Sequence, residues 1–374
     1  MTGARGPRTS TALLEAAVVA CFDPATALSR TEIADRTGLS RTVVTSLVNA
    51  LVERGTLAVV PGARVSSPGR PAYSYRLSAA LAPVALVRLL AEGTRLTVSA
   101  GTGILAEHRT RALPGDAGWE REIRRLLAEA RGGDETPVRR VIVCAPYPVA
   151  PEAAGDRGGQ EYPEDLAHAL LSRAFPGEVR LVNDAHLAAL GEAVHGAAAG
   201  TRASIHLSVR HGVGAGLVID GRLFTGVDGT AGELAHVQVV PDGARCVCGS
   251  RGCLATRLAH KEADLALAAR YGRPLTPAEA DALVLAGDAQ AVEYYRELGE
   301  LVAEALAGTV TVLTPDALVV DAQLGPAHVP FAATLTAGLS RHCPPGQIQS
   351  LRLLRGRLAD AQAWGAAAYA PAPG

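Results

Sequence analysis

Four side chains of the kind that bind metals lie close together in this chain, and their spacing constrains the local fold more than any other pattern in the sequence. The run HVQVVPDGARCVCGSRGC carries His236, Cys246, Cys248 and Cys253. Three thiolates and one imidazole suit tetrahedral Zn²⁺, and the proline and glycines between them provide tight turns that fold the ligands inward. Because four protein ligands leave no position for water, the pattern predicts a structural zinc site. The alternative is three buried or reactive thiols beside an unrelated histidine.

The N-terminal part of the chain has the pattern of a small DNA-binding domain. A helix-like apolar pattern runs over 9–22, and 31–55 predicts two more helices with Gly38 in the turn between them. Ser40 is a good N-cap for the helix that begins at Arg41. Two alternating apolar runs, TLAVV and YSYRL, flank a turn-rich segment and predict a β-hairpin wing.

The third of these helices has one apolar and one polar face. We expect its buried face to consist of Val43, Val44, Leu47, Val48 and Leu51. Arginine and asparagine on the other face can bond base edges, and a wing can place arginine in the adjacent minor groove. The candidate DNA-binding residues are Arg30, Ser40, Arg41, Thr42, Thr45, Ser46, Asn49, Arg64 and Arg70. The alternative is a helical interaction module whose polar face is merely solvated.

The uneven distribution of charge agrees with a DNA-binding N-terminus. Residues 1–80 hold nine Arg against five Asp or Glu, a net charge of +4, whereas the whole chain has a net charge of −1. A small positive domain joined to a mildly acidic body suits a phosphate-rich partner for the first and something else for the second.

The rest of the chain alternates strand-like and helical runs, which is the order of an α/β fold. One series ends in VRLVN and a second begins with ASIHLSV, so we expect two related lobes. The length of 374 residues allows two or three domains. No apolar stretch reaches the ~20 residues that span a bilayer, and the start lacks a convincing secretory signal, so a cytoplasmic location without a membrane partner is expected.

The chain resembles transcriptional regulators of the ROK family (repressors, open reading frames, sugar kinases). The segments that carry the resemblance are SSPGRPA at the end of the predicted wing, VNDAHLAALGEA, HGVGAGLVIDGRLFTGVDGTAGELAHV and CVCGSRGC. It implies an N-terminal winged helix-turn-helix domain over 1–80 and an α/β, two-lobed, actin-like sugar-kinase fold over 81–374. It also implies zinc held by His236 and the three cysteines in the motif 236–253, and assembly as a homodimer or homotetramer.

The same resemblance implies a site for a sugar. In the family, residues that match Asn183, Asp184, Glu233 and His236 bind sugar hydroxyls. Carboxylates accept hydrogen bonds from vicinal hydroxyls, and an Asn amide both donates and accepts. Two expected residues are replaced, a glycine by Ala235 and a glutamate by Ala255. The alternative for Asp184 is that it simply caps the following helix.

The positions that correspond to the kinase phosphate motifs have changed. The first motif aligns with LAEGT, which puts Leu90 at the magnesium-associated Asp and Glu92 at a glycine. Leucine cannot coordinate magnesium, and glutamate repels a triphosphate that glycine N–H groups would bind. A later Gly-Gly pair reads Asp321 and Ala322. These replacements predict that the chain is not an enzyme.

We therefore expect a DNA-binding transcriptional regulator, specifically a repressor, whose body oligomerises the chain and senses a sugar or another small-molecule effector. Double-stranded DNA is the expected macromolecular partner. The alternatives are a sugar kinase with an appended DNA-binding domain and a ligand-independent regulator that keeps zinc and the subunit interface only for folding.

Overall fold

The computed structural model describes most of the chain. The described residues are 11–22, 27–53, 57–60, 73–77, 83–100, 103–129, 138, 140–149, 162–209, 213–257 and 263–369. Two of the candidate DNA-binding residues, Arg64 and Arg70, lie outside these ranges.

The N-terminal elements form the expected winged helix-turn-helix. They are α1 (Thr11–Ala20), β1 (Leu28–Ser29), α2 (Arg30–Thr37), α3 (Arg41–Glu53), β2 (Leu57–Val60) and β3 (Ser74–Leu77). β2 and β3 pair antiparallel, and β1 adds a third strand on the other side of β3. Strand β1 was not expected, because two residues are too short to show a period in the sequence.

Local capping explains where α2 begins and ends. Ser29 and Glu32 form a reciprocal capping box at its start, and Gly38 ends it in a left-handed conformation, with φ +68°. A side chain at Gly38 would be strained, so glycine suits this turn.

The apolar face of α3 differs from the expected one at a single residue. Val44, Leu47, Val48 and Leu51 are buried in the domain core, as expected. Val43 is 36% exposed, so its predicted burial is wrong. It lies at the edge of the apolar stripe, where a period of 3.6 residues does not distinguish core from boundary.

The ROK-like body contains two sheets with the same strand order. In lobe 1 the order is β6-β5-β4-β7-β8, and in lobe 2 it is β11-β10-β9-β12-β13. In each sheet the first strand in sequence pairs antiparallel with the second and parallel with the fourth. The repeated order confirms the expected α/β fold with two related lobes.

The elements of lobe 1 are β4 (Val84–Leu90), β5 (Gly93–Ala100), β6 (Gly103–Thr110), α4 (Trp119–Glu129), β7 (Arg140–Ala145), α5 (Pro163–Ala174) and β8 (Glu178–Asn183). Its core packs Trp119 and Ile123 of α4 and Leu171 of α5 with the inward residues of the sheet. The indole N–H of Trp119 donates to the Thr94 hydroxyl at 2.9 Å, so this buried polar group has a partner.

The strands of lobe 2 are β9 (Ala203–Ser208), β10 (Gly214–Ile219), β11 (Arg222–Phe224), β12 (Ala317–Val320) and β13 (Arg352–Arg355). Its helices are α6 (Asp184–Val194), α7 (Leu254–Arg257), α8 (Ala263–Tyr271), α9 (Pro277–Leu285), α10 (Ala289–Leu313), α11 (His328–His342), α12 (Pro345–Ser350) and α13 (Ala361–Ala368). Two 3₁₀ helices cover Leu234–His236 and Ala322–Ala327. The main core lies between the sheet and the α10–α11 pair, where Phe331 is fully buried.

Two compact units divide the chain, with boundaries at 144/145, 181/182 and 365/366 among the described residues. A boundary between a DNA-binding domain and the body near residue 80 stays a prediction, because residues 78–82 lie outside the described ranges. Within the part of the chain that the structure describes, no helix combines the length and apolarity needed to cross a membrane.

Helix α6, which begins at the candidate ligand-binding residue Asp184 and is capped by Asn183, touches α13 at two glycines. A Cβ at Gly191 would lie 2.1 Å from the Ala361 carbonyl oxygen, and a Cβ at Gly365 would lie 1.8 Å from the Leu187 carbonyl oxygen. Real side chains do not approach backbone atoms so closely. Glycine at these positions therefore allows the two helices to cross in direct backbone contact.

We expect Gly365→Ala to destabilise lobe 2 by about 1–3 kcal/mol, because the added methyl group must push α13 away from α6. The measurement is urea unfolding followed by intrinsic fluorescence, to which Trp364 on α13 contributes directly. The matched control is Gly308→Ala on α10, where a Cβ meets nothing within 4 Å. That substitution should be neutral or stabilising by up to about 1 kcal/mol. Equal unfolding curves for the two variants would contradict the close crossing.

Candidate functional site

The polar face of α3 carries most of the candidate DNA-binding residues. Arg41, Thr42, Ser46 and Asn49 are exposed. Thr42, Ser46 and Asn49 follow one another at helical spacing, so they project from one side of the helix. Thr45 is half-buried, and its hydroxyl donates to the Arg41 carbonyl oxygen at 2.8 Å. The hydroxyl oxygen of Ser40 accepts a bond from the Val43 N–H at 3.4 Å and caps the helix.

Arg30 lies apart from this helix in sequence but contacts it. Its Nη2 donates to Oδ1 of Asn49 at 2.7 Å, and its guanidinium carbon lies 5.1 Å from the centre of the Tyr75 ring on β3. A cation over an aromatic face is stabilised by about 0.5–1 kcal/mol at exposed sites. Tyr75 was missed in the sequence, because nothing local to YSYRL indicates a partner 45 residues earlier.

The four predicted metal ligands come together in lobe 2. Their donor atoms all lie within 4.8 Å of one another. Nδ1 of His236 is 3.5 Å from Sγ of Cys246, and the Sγ atoms of Cys248 and Cys253 are 3.7 Å apart. These four residues, which we call the Cys/His cluster, could hold a metal ion.

Backbone bonds of the surrounding loop hold the cluster in place. Isolated β-bridges pair Gln238 with Cys253 and Arg245 with Arg251, which bring the two ends of the loop together. The Cys246 N–H donates to the Ser250 carbonyl oxygen at 2.8 Å. The ligand positions are therefore fixed by the main chain, as in preorganised metal sites.

The electrostatics of the cluster differ from one thiol to the next. Burial, together with the neighbouring thiols, raises the pKa of Cys253 to about 11. A hydrogen bond from the Ser250 backbone lowers the pKa of Cys248. The neighbouring thiols thus oppose ionisation of Cys253, and a bound cation would remove this opposition because it favours the thiolates.

Asn183 has a structural role that the sequence did not predict, and its contact with a ligand stays a prediction. Its Oδ1 accepts a bond from the His186 N–H at 3.0 Å, so Asn183 is the N-cap of α6. Its Nδ2 donates to the Tyr147 carbonyl oxygen at 3.0 Å, and the residue is 5% exposed. The alternative that Asp184 caps this helix is wrong, because Asp184 is the first helical residue.

Asp184, Glu233 and His236 form a polar group that shares His236 with the Cys/His cluster. Burial, and then the negative charge of Asp184, raise the pKa of Glu233. Oε2 of Glu233 is 4.0 Å from Nε2 of His236. His236 thus directs one ring nitrogen toward the thiols and the other toward Glu233. The double role that the sequence indicated for His236 is compatible with this geometry.

Helix α6 is held on the sheet of lobe 2 at both ends. Near its start, Nε2 of His186 bonds the Ala231 carbonyl oxygen at 2.8 Å. Near its end, the Glu192 carboxylate accepts bonds from the N–H groups of Ala197, Arg357 and Leu358 at 2.6–2.9 Å. The buried charge is therefore satisfied by three donors.

Gly216 on β10, in the segment HGVGAGLVID that carries part of the family resemblance, lies beneath α6. A Cβ at this position would be 2.4 Å from the Ala189 Cβ and 2.6 Å from the Ala185 carbonyl oxygen. Close packing of α6 on β10 is sufficient to require glycine here. The presence of this glycine therefore does not by itself indicate a phosphate site.

The replaced phosphate-motif residues lie at strand ends. Leu90 is the last residue of β4 and Glu92 lies exposed in the two-residue turn that leads into β5. Asp321 follows β12, where its N–H donates to the Leu207 carbonyl oxygen at 2.9 Å, and Ala322 begins a 3₁₀ helix. Glu92 thus presents a carboxylate where the expected motif has a glycine.

His206 on β9 is a buried titratable residue that sequence reasoning missed. It is 2% exposed, and within the described part of the chain its Nδ1 has no hydrogen-bond partner. Burial lowers the pKa of His206, and the nearby charges of Asp321 and Glu192 oppose this effect only in part. The alternating apolar pattern of its strand gave no sign that the charges of Asp321 and Glu192 lie near His206, because both residues come from other parts of the chain.

A cavity of about 340 Å³ opens elsewhere in lobe 2, beside the start of β9 and the end of α10. Its lining includes Arg202, Leu217, Asp220 and Val312. None of the candidate site residues lines it, so it is separate from the polar group and from the Cys/His cluster.

Two family models match the chain. Residues 162–372 match the ROK family, and residues 16–61 match the IclR helix-turn-helix domain. The second match covers the α1–α3 region, and the first includes α6 and the Cys/His cluster.

Curated relatives include both regulators and kinases. The chain is 31% identical over 256 residues to the DNA-binding transcriptional dual regulator NagC of Escherichia coli K12, which is 65% of this chain and 62% of NagC. It is 35% identical over 153 residues to a glucokinase of Halalkalibacterium halodurans, which is 37% of this chain and 46% of that enzyme. The chain thus covers less than two thirds of the length of either relative.

A solved structure matches nearly the whole chain. It is a ROK family transcriptional regulator described as a homologue of the E. coli MLC protein, and it aligns with a TM-score of 0.68 and 22% identity. The alignment covers 96% of this chain and 95% of that one. At this identity the match establishes the fold: a helix-turn-helix domain followed by a sugar-kinase-like body.

We expect the stability of the chain to fall as pH decreases below about 6.5, the value of an unfolded histidine. Burial lowers the pKa of His186, His195 and His206, so the folded chain binds fewer protons at these rings than the unfolded chain does. Stability is therefore complete above the unfolded value and is lost as pH falls toward the folded values. Below the pKa of an unfolded histidine, each ring that stays neutral in the folded chain lowers the free energy of unfolding by about 1.4 kcal/mol per pH unit.

The measurement is the urea midpoint at several pH values between 7.5 and 5, a window around the unfolded value of about 6.5. His206→Gln should flatten the curve, whereas His342→Gln, at an exposed position, should keep the wild-type curve. A pH profile of His206→Gln identical to that of the wild type would contradict a neutral buried His206.

Proposed function

The chain belongs to the ROK family, and from this premise we propose that it is a DNA-binding transcriptional repressor whose body senses a small-molecule effector. The observation that carries the proposal is the exposed, polar and cationic face of α3 in a winged helix-turn-helix at the start of a ROK chain. NagC, which this chain resembles, is a DNA-binding transcriptional dual regulator.

DNA binding is supported by the chemistry of the α3 face. Thr42, Ser46 and Asn49 offer small hydroxyls and an amide, which can approach base edges and phosphates closely. Arg41 at the helix start adds a cation, and the N-terminal residues 1–80 have a net charge of +4. The wing-tip residues Arg64 and Arg70 remain predicted minor-groove or phosphate contacts.

Zinc is the metal that the Cys/His cluster suits best. A tetrahedral site with Zn–S bonds of about 2.3 Å has edges of about 3.8 Å, close to the 3.7 Å between the Sγ atoms of Cys248 and Cys253. His236, Cys246, Cys248 and Cys253 would hold the ion. It would supply charge that stabilises the thiolates, and it would fix the loop that carries Glu233.

We propose that the effector is a sugar or a related polyol, bound by Asp184 and Glu233 with His236 alongside. Two carboxyl groups in a partly buried site suit vicinal hydroxyls. Asn183 contributes by capping α6 and has less capacity for a ligand, because both ends of its amide have protein partners. A thermal-shift screen against sugars, amino sugars and sugar phosphates tests this, since a ligand specific for the folded state raises its melting temperature. No shift with any of them would refute a sugar effector.

Kinase activity is not part of the proposal, although a glucokinase is among the relatives. Phosphoryl transfer depends on metal and phosphate-binding groups that stabilise the transition state. Leu90, Glu92, Asp321 and Ala322 stand where the resemblance expects such groups. An ADP-release assay over a sugar panel is the test, and turnover that disappears in Asp184→Asn would establish the kinase instead.

The proposed assembly is a homo-oligomer that presents two winged helices to DNA. Two recognition helices that read successive major grooves must lie about 34 Å apart, or a multiple of this distance. An effector that changes the distance between them would alter affinity for DNA.

The test of the proposed function is selection of DNA by the full-length chain from a random double-stranded pool. We expect enrichment of a sequence with two related half-sites. Arg41→Ala should weaken binding to all sequences alike and reduce the salt slope by about one unit, because a phosphate contact is lost.

The matched control is Arg125→Ala on α4, where the arginine forms a surface ion pair with Glu129. It should leave both affinity and salt slope unchanged. Absence of any enriched sequence at low salt would overturn the assignment as a DNA-binding regulator.

We expect Cys248→Ser to lower the zinc content of the purified chain severalfold and to destabilise lobe 2, because structural zinc contributes directly to folding free energy. The measurement is elemental analysis by mass spectrometry with a thermal melt. Cys21→Ser is the matched control, since its hydroxyl can keep the bond that the Cys21 thiol donates to the Val18 carbonyl oxygen. Equal zinc content in both variants would refute the site.

A further inference from the structure

Arg30 occupies a fixed position at the junction of three elements. It is the first residue of α2 and directly follows β1, which pairs with β3 through Leu28 to Tyr75 and Ser29 to Ser74. The capping box of Ser29 and Glu32 fixes the backbone on either side of it. The start of the Arg30 side chain is therefore held by strand pairing and by capping at once.

The side chain is directed inward, toward the recognition helix, and not only toward solvent. Its Nε is buried and has no hydrogen-bond partner among the residues that the structure describes. Its guanidinium lies over the ring of Tyr75, which is 3% exposed, and Nη2 reaches Oδ1 of Asn49 at 2.7 Å. An arginine used only as a surface charge for phosphate would not need to bury Nε at the cost of a hydrogen bond.

This contact determines which way the Asn49 amide faces. An asparagine amide has an acceptor at Oδ1 and two donors at Nδ2. If the amide were reversed, its NH₂ group would face the guanidinium, and two donors would oppose each other. Oδ1 is thus directed to Arg30, and Nδ2 is presented outward on the exposed face of α3.

The fixed orientation restricts what Asn49 can read. A free asparagine can pair with adenine in a bidentate way, accepting from N6 and donating to N7. With Oδ1 engaged by Arg30, the outward group is the Nδ2 donor. It selects a base-edge acceptor, which guanine O6 and N7, adenine N7 and thymine O4 provide, and it discriminates against the N4 donor of cytosine. The discrimination comes from the orientation, which depends on Arg30 and Tyr75.

We propose that Arg30 is a positioning residue that makes Asn49 a donor-only reader of one base in the operator. The inference rests on the proposed DNA-binding function and adds a role to Arg30 that a phosphate contact does not include. Lysine cannot replace Arg30 in this role, because an ammonium group lacks the planar fork that can lie over a ring and reach an amide at the same time.

The experiment uses the sequence enriched by the wild-type chain as probe, with each base of the half-site varied in turn. Arg30→Lys and Asn49→Ala should each lose discrimination at one and the same base position, by about 5-fold, the lower end of the range for a bidentate base contact, because a single donor makes one bond. The double variant should behave like Asn49→Ala alone. The salt slope and the affinity for unrelated DNA should stay at wild-type values in Arg30→Lys, since the charge is retained.

A second variant does not depend on replacing Arg30. Asn49→Asp keeps an acceptor for Arg30 but presents an oxygen outward, so the preferred base at that position should change to one with a donor edge, cytosine N4 or adenine N6. Arg36→Lys is the control, because this α2 arginine donates to the Cys21 carbonyl oxygen at 2.9 Å and not to Asn49. It should keep every base preference.

The outcomes separate this inference from the proposed function. Failure of the wild-type chain to enrich any DNA overturns both. A clear operator whose base preferences are unchanged in Arg30→Lys overturns the positioning role alone. So do additive losses in the double variant, or a lower salt slope in Arg30→Lys, because these indicate that Arg30 contacts DNA independently.

Discussion

The packing of α6 against its neighbours is the constraint on which the rest of lobe 2 depends. Gly216 allows the helix to lie on β10, and Gly365 allows α13 to cross it in backbone contact. Asn183 caps its start and the Glu192 carboxylate collects three N–H groups at its end. Asp184, a candidate ligand-binding residue, is the first residue of this helix. The helix therefore holds Asp184 in a position that cannot shift without breaking several contacts at once.

The Cys/His cluster and the polar group of Asp184, Glu233 and His236 share one residue, so the order of the cluster affects the setting of the candidate ligand-binding residues. His236 faces the thiols with Nδ1 and Glu233 with Nε2. A metal ion at the cluster would fix the ring and so fix the setting of Glu233, in the way that outer groups orient metal-bound histidines. The replaced phosphate-motif residues lie at the ends of other strands, so they could change without moving His236 or Glu233.

Patterns that are local in sequence predicted the structure well, and contacts between distant segments account for what was missed. The three N-terminal helices, the wing strands and the Cys/His cluster each depend on residues within about one motif length. Burial of Val43, the capping role of Asn183 and the buried His206 depend on neighbours brought in by the fold. The Arg30–Tyr75 contact needs strand β1, which has two residues and therefore no period to detect.

The same distant contacts also affect the order in which the chain can acquire its structure during synthesis. Two of the three N–H groups that satisfy Glu192 come from residues 165 and 166 positions later, and α13 follows them near the end of the described chain. On the ribosome, α6 must wait for these later residues and for α13 before the Glu192 charge is satisfied and the face of the helix that packs on α13 is covered. The N-terminal helix-turn-helix and its wing strands are complete at Leu77, so they can fold long before, while lobe 2 is still incomplete.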